Sequence, residues 1–266
     1  MLWWLLHRSI LVLHGVETLP FLQGLLTQDV FKLGKDYLLY SLILSPKGRF
    51  YTDVFFFEKD GAVYLDVYAP QKDEIIKKLN LYKLRRDVKI EDCPQAGVWA
   101  SLNKENFPRD AILFEDPRHN KMGWRGYDLE GNGGGNIAPD LKTYDEMRLT
   151  LGIPDGPRDM IPDKSIPLEW RMDELGAIDW QKGCYLGQEL TARTKYTGVV
   201  RKTLITLEKG DGGEFTPGPL KVNGEEVGEI IRTYGPHCFA LMSLEFLGQG
   251  QEEIDLEDCR VKIRRY

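Results

Sequence analysis

Between Trp180 and Gly198 the chain reads WQKGCYLGQELTARTKYTG, its densest group of side chains able to do chemistry. Gly183 and Gly187 flank Cys184, and the spacing predicts a helix over 188–196 that ends near Gly198. A thiol just ahead of a helix N-terminus meets unpaired backbone N–H groups and the positive end of the dipole, and Lys182 stands two residues away. Both favour thiolate, the form that attacks electrophiles or binds iron. Against this stands the ordinary fate of a free cysteine, burial as a small apolar side chain. The residues by themselves leave both readings open.

The other cysteines, Cys93, Cys238 and Cys259, lack glycine flanks and fall in expected strands or loops. None of the four shows the paired spacing of a zinc site or of a secreted disulfide framework, so the compartment reads as reducing. His237 beside Cys238 reads as incidental. The run GNGGGN lacks the strand-loop-helix setting of a dinucleotide fingerprint and is expected to be a hairpin loop.

These residues need a scaffold, and the chain has material for one. Its 266 residues, 42% hydrophobic and 29% charged, suffice for a real core and sit near the upper limit for one domain. A formal net charge of −6 argues against a surface built to neutralise nucleic-acid phosphates, while leaving room for local basic pockets. The opening MLWWLLHRSILVL is interrupted by His7 and Arg8 and has no small-residue cleavage site, so a buried first strand is expected rather than a targeting or membrane segment.

Alternation and turn residues predict strands at 10–13, 40–44, 51–57, 63–67 and 88–90, with turns at Pro46-Lys47-Gly48 and Asp60-Gly61. Helices are predicted around 19–26 and over 73–82, the latter from Ile75, Ile76, Leu79 and Tyr82 at helical spacing. Strands at 97–102 and 111–114 follow. Thr143 and Glu146 have capping-box spacing, which starts a helix at Thr143 that stops at Gly152 with Pro154 beyond. Past Gly198, short strands at 202–207, 220–222, 228–232 and 238–243 between glycine-rich turns suit a small β-barrel.

With IPLEWRMDELGAIDW before it and TKYTGVVRK after it, KGCYLGQELTAR resembles the signature of the YgfZ family and its mitochondrial iron-sulfur assembly relatives. LQGLLTQDV, ILSPKGRFYTD, LYKLRRDV and YDEMRLTLGIPDG resemble that family in the same order, so the likeness covers nearly the whole chain. The family in turn resembles the aminomethyltransferase of the glycine cleavage system. The fold so implied is α+β: an aminomethyltransferase-like folate-binding domain over 1–199, with lobes of about 1–95 and 96–199 around a central channel, then a C-terminal β-barrel domain over 200–266.

The resemblance implies a tetrahydrofolate-binding accessory protein for maturation or repair of iron-sulfur proteins, acting through Cys184 as a thiolate and as a shared cluster ligand. Tetrahydrofolate is the implied cofactor, with a transient cluster shared with a partner. Arg148, in MRLTLGIP, is the implied folate ligand, since a guanidinium fork suits a carboxylate or pterin edge. Lys182 and Tyr185 join it, with Gly183, Gly187, Glu189 and Arg193 supporting the motif. One long cleft is expected, Arg148 on its wall and Cys184 at its mouth. Implied partners are an A-type iron-sulfur carrier and iron-sulfur client enzymes, with no nucleic acid and no membrane. The location is the cytoplasm for a bacterial chain or the mitochondrial matrix for a eukaryotic one. The alternative is a tetrahydrofolate-dependent one-carbon transferase, of aminomethyltransferase or demethylase type, with Asp73 or Asp53 as acid-base group. Two departures bear on it: Cys184 stands where the transferases have an acidic residue, and GWRGYDLEGN lacks their pterin-binding glutamate.

Overall fold

Phe50 to Phe57 explain the layering. In a strand successive side chains face opposite ways, and here both faces are buried: Phe50, Phe55 and Phe57 enter one core, while Tyr51, Val54 and Phe56 enter another. The run must therefore lie between two layers. The computed structural model describes residues 1–34, 36–131, 141–198, 200–256 and 259–266, and it shows them. In chain order the first elements are β1 (Leu2–Trp4), β2 (Arg8–His14), α1 (Thr18–Gln23), β3 (Leu39–Leu44), β4 (Phe50–Lys59), β5 (Ala62–Tyr68), α2 (Lys72–Lys83) and β6 (Lys89–Asp92). Strands β3-β4-β5-β2-β6 form a five-stranded sheet in that order. Phe21 and Leu22 of α1, with Ile75 and Leu79 of α2, cover one face.

The opposite face meets a four-stranded sheet, β1-β7-β9-β8, in which β7 is Gly97–Ser101, β8 Ile112–Glu115 and β9 Trp124–Asp128. The opening segment is thus two strands rather than one. A turn closed by Arg8 N–H to Leu5 O at 2.8 Å carries the chain from β1 in the second sheet to β2 in the first. Asp60 and Gly61 make the β4–β5 hairpin with φ of 52° and 78°, the left-handed pair that matches strand twist.

Helix α3 (Lys142–Thr150) begins at Leu141 without a side-chain cap, so the expected capping box does not form. Thr143 Oγ1 instead accepts the indole N–H of Trp3 at 2.9 Å. The glycine-rich tract after Gly131 lies outside the described residues. Beyond α4 (Gln188–Thr197) come β10 (Lys202–Lys209), β11 (Gly218–Val222), β12 (Glu225–Tyr234), β13 (His237–Ser243), α5 (Leu244–Leu247), β14 (Glu253–Asp255) and β15 (Arg260–Arg264). Here the expected barrel is a six-stranded antiparallel sheet, β11-β12-β13-β10-β15-β14, with β11 and β14 as edges.

Charged side chains bind the layers together. Between the first two sheets, Asp66 of β5 accepts Arg8 Nε of β2 at 2.6 Å, and from β9 it accepts Arg125 Nε at 2.8 Å and the Tyr127 hydroxyl at 3.1 Å. Arg8 reaches on to Asp53 at 2.8 Å, and Arg118 pairs with Asp116 at 2.7 Å. The guanidiniums of Arg8, Arg118 and Arg125 lie 5.3, 4.9 and 3.9 Å from the ring centre of Phe55.

A second group joins α3 to the third sheet. Arg148 pairs with Asp145 at 2.6 Å and Asp159 at 2.5 Å, Arg158 with Asp145 and Asp155, and the Tyr234 hydroxyl donates to Asp159 at 2.6 Å. His7 Nε2 stands 2.9 Å from Asp155. Burial raises the Asp155 pKa, but His7, Arg148 and Arg158 outweigh it and hold that carboxyl well below its ordinary value. Asp116 is likewise held down, against burial, by Arg118 and then Arg125.

Both folded-state values lie under the unfolded value of about 3.9. Their stabilisation is therefore present above that pH and is lost as pH falls below it. Urea unfolding midpoints measured from about pH 5 to about pH 2 should begin to fall near about pH 4 and fall more steeply for this chain than for Asp155→Asn. Equal slopes would show that Asp155 does not carry the acid sensitivity.

Candidate functional site

The Cys184 loop is strapped to the end of α1 before it reaches α4. Thr27 Oγ1 donates to Ala177 O at 2.6 Å, Asp179 N–H to Thr27 O at 3.0 Å, and Leu186 N–H to Gly24 O at 3.0 Å. Lys182 supplies the strongest strap. Its Nζ donates to the carbonyls of Gln23, Leu26 and Gln28 at 2.9, 2.5 and 2.9 Å, and so takes up carbonyls at and just beyond the C-terminus of α1. Burial pulls its pKa down to about 8, against the attraction of Asp29 and Asp179. All three ammonium donors are spent on backbone, so Lys182 positions the loop instead of attending the thiol.

The far end of the loop is locked by two glycines. Gly187 has φ of +83°, and a Cβ there would stand 2.5 Å from Ser45 O and 3.1 Å from Gly48 Cα. Gly48, at φ of +65°, would set a Cβ 2.8 Å from Gly187 O. The SPKG turn and the YLGQE segment therefore interlock backbone to backbone. No such constraint acts on Gly183, where a Cβ meets nothing within 4 Å.

Cys184 is exposed, whereas Cys238 is buried and Cys93 and Cys259 are intermediate. Helix α4 starts four residues after Cys184, with Gly187 as N-cap. The sulfur is thus not at the helix N-terminus, and the dipole's influence fades within a turn. Instead Cys184 lines an open hollow of about 410 Å³ with Phe21, Gly24, Leu25, Tyr82, Arg86, Tyr185 and Leu186. Tyr185 is buried, and burial pushes its pKa up to about 12, so it stays a neutral phenol. Glu189 and Arg193 line a second hollow of about 380 Å³ with Pro46, Lys47, Arg49 and Leu190.

Sequence reasoning missed Phe21, Gly24, Leu25 and Arg86. The motif LQGLLTQDV was visible, but nothing local to it indicates that residues 160 positions later cover its helix.

Arg148 lies elsewhere. It is fully buried, with Nε on Asp145, Nη1 on Asp159 and its plane 4.7 Å from the Tyr234 ring centre. It does not line the Cys184 hollow, and the expected single cleft through both residues is not what the packing builds. Two nitrogens of the fork that was to hold folate are taken by the protein's own carboxylates, and Nη2 is buried without a hydrogen-bond partner. Arg148, Lys182 and Tyr185 do not converge on one cavity, so as a set they do not fit tetrahydrofolate. Asp53 is buried on Arg8 while Asp73 is exposed on α2, so the two acid-base nominees occupy different environments.

Among the described residues no group of three or more His, Cys, Asp or Glu stands together to hold a metal ion, and no helix is long and apolar enough to cross a membrane.

This arrangement of sheets is that of an aminomethyltransferase. The structure superposes on glycine cleavage system aminomethyltransferase T from Bartonella henselae with a TM-score of 0.68 at 12% identity, covering 100% of this chain and 84% of that one. No family model matches the chain. It is 32% identical over 254 residues to the mitochondrial iron-sulfur cluster assembly factor IBA57 of Mus musculus, covering 84% of this chain and 68% of that protein. To the Homo sapiens protein of the same name it is 31% identical over 274 residues, covering 88% and 75%. The chain belongs to the IBA57 family of iron-sulfur cluster assembly factors, and the resemblance read from its motifs is borne out.

Two substitutions separate framework from exposed chemistry. Arg148→Ala leaves buried Asp159 without its counter-charge, although Asp145 keeps Arg158, and should cost about 3–5 kcal/mol of stability. Lys182→Met leaves three carbonyls without a donor and should cost about 1–3 kcal/mol. Urea titration followed by tryptophan fluorescence measures both. An Arg148→Ala chain as stable as the parent would show that its ion pairs are not what joins α3 to the third sheet.

Proposed function

We propose that this chain assists iron-sulfur protein maturation by lending the Cys184 thiolate as one ligand of a cluster held jointly with a partner protein. The observation that carries the reading is the placement of Cys184, an exposed cysteine on a loop tied at both ends, beside an open hollow, in a chain of the IBA57 family. Soft thiolate suits iron, and clusters need about four such ligands. One cysteine supplies one. The partner supplies the remainder, which makes an A-type carrier the natural donor or recipient and iron-sulfur enzymes the clients.

Tetrahydrofolate has no step in this reading, which rests on Cys184: Lys182 spends its ammonium on backbone carbonyls and Arg148 pairs with Asp145 and Asp159, while the Tyr185 hydroxyl has no hydrogen-bond partner. The relatives are named as mitochondrial, which agrees with a matrix location for a eukaryotic chain and does not bear on a bacterial cytoplasmic one.

Cys184→Ser should leave the urea midpoint unchanged and abolish support of iron-sulfur enzymes in cells lacking the native protein, since a hydroxyl is neither soft nor ionised near neutral pH. Cys93→Ser and Cys259→Ser should retain full support. Cys238 is fully buried, so alanine is the suitable replacement there and should also retain it. Wild-type enzyme activity with Cys184→Ser would sink the thiolate mechanism.

A further inference from the structure

The turn between β3 and β4 meets one side of α4 at two adjoining hollows that the Cys184 reading does not use. The more enclosed, of about 190 Å³, is walled by Ile166, Pro167, Leu168 and Leu190, with Thr191 and Thr194 on its α4 side. The other, of about 380 Å³, lies between Pro46, Lys47, Glu189 and Arg193. Arg49 and Leu190 belong to both, so the two run together. The frame around them is rigid: Ser45 N–H donates to Arg49 O at 2.8 Å, Gly48 N–H to Ser45 O at 2.9 Å, and a Cβ on Gly48 would lie 2.9 Å from Leu190 Cβ.

One compartment is apolar and the other cationic. In the first, the Thr191 and Thr194 hydroxyls donate back to Gly187 O at 3.2 Å and Leu190 O at 2.8 Å, so their protons are not offered to the hollow. In the second, Lys47, Arg49 and Arg193 form no ion pair among the described residues, and Arg49 donates only to Lys164 O at 3.2 Å. The carboxylates at hand are Glu189, in the hollow itself, and half-buried Glu169, whose pKa burial raises against the pull of Lys202 and Arg49. Glu169 is answered by Lys202, so the three cations less Glu189 leave an excess of two positive charges. Gly187, the N-cap of α4, also brings no side-chain oxygen to the first-turn N–H groups at the positive end of that helix.

We propose that the joined hollows bind a small phosphate monoester with a compact apolar group, the phosphate on Lys47, Arg49 and Arg193 and the apolar group among Ile166, Leu168 and Leu190. Charge selects the anion, since a phosphate monoester carries about −1.5 to −2 near pH 7 and so matches the local excess, whereas one carboxylate meets half of it. Guanidinium forks suit phosphate oxygens, and the apolar wall beside them supplies contact area for the rest of the molecule. The site is separate from the hollow that Cys184 lines, and the inference stands whether or not that thiol is a cluster ligand.

Phenyl phosphate, inorganic phosphate and phenol are the probes, each titrated calorimetrically into the purified full chain. Phenyl phosphate should bind saturably at one site, about tenfold more tightly than either fragment, because it fills both compartments. Arg49→Gln and Arg193→Gln should each weaken it about tenfold, the loss expected of a charge-assisted hydrogen bond. Arg193 is exposed, so its replacement spares the fold. Thr194→Phe puts a ring into the enclosed hollow and should weaken phenyl phosphate about tenfold while leaving inorganic phosphate unchanged. Urea midpoints equal to the parent's verify that each variant is folded, and Cys184→Ser should bind phenyl phosphate as the parent does.

No saturable binding by the parent chain overturns the proposal. So does phenyl phosphate bound no more tightly than inorganic phosphate, which would mark only the general attraction of an anion to surface cations. Parent-like affinity in both arginine variants has the same consequence. A phosphotyrosine peptide that binds at least about tenfold more tightly than phenyl phosphate overturns the small-molecule assignment, since the same hollows then take a phosphorylated protein side chain. If Cys184→Ser loses support of iron-sulfur enzymes yet keeps its affinity for phenyl phosphate, the two sites are independent as proposed. If it loses that affinity, the hollows belong to the Cys184 loop and the separate site falls.

Discussion

The carboxylate of Asp66 is where the two sheets of the larger body are joined. It takes Arg8 from its own sheet and Arg125 and Tyr127 from the facing one, all buried, around the ring of Phe55. Removing two charges from water costs several kcal/mol per ion, and mutual attraction repays this only when geometry is good and remaining lone pairs are used. Asp66 meets that condition by accepting bonds on both oxygens and through its backbone carbonyl, which takes Arg8 Nη2 at 2.8 Å. Such a pair adds little net stability over apolar packing, but removing one member leaves an uncompensated buried charge between the sheets. The position of the five-stranded sheet then sets that of α1, which packs on its outer face.

From α1 the constraint passes to the thiol. Lys182 fastens the loop to carbonyls at the end of that helix, and the Gly48–Gly187 contact fastens the same loop to the β3–β4 turn. Cys184 lies between two anchors, so a solvent-facing sulfur is held on a framework with little freedom. That combination suits a ligand presented to another protein, because ordering it on binding costs little additional entropy.

A shared fold leaves its chemistry open, since function lives in the site that the fold carries. The sheets superpose on an aminomethyltransferase, yet the interior charges here are used by one another. Arg148 illustrates the point. Its guanidinium joins α3 to Asp159 and the Tyr234 ring of the third sheet, work that keeps α3 and the third sheet together. Arg148 is in structural use here, while the reactive candidate stands at the surface.

Residue pattern alone was enough for much of the architecture. Alternation located β2 to β5 within a residue or two, Asp60-Gly61 marked a hairpin, and Gly198 closed α4. The glycine-flanked cysteine was legible for the same reason: each of these is a property of neighbours along the chain. Strand β9 was missed because Arg125 and Gly126 interrupt its alternation, and Arg125 is buried only because Asp66 arrives from another sheet. The opening apolar run gave no sign that it divides between sheets, since both halves are equally apolar. The partners of Lys182 lie 154 to 159 residues away and those of Arg148 include Asp159, so a charged side chain's sequence neighbours say little about whether it faces solvent, a ligand or a carboxylate. Local stereochemistry determined where strands, turns and the thiol stand in the chain. Only the tertiary structure decided which charges were consumed inside, because burial makes an unpaired charge so costly that the nearest opposite group in space, wherever it comes from in sequence, takes it.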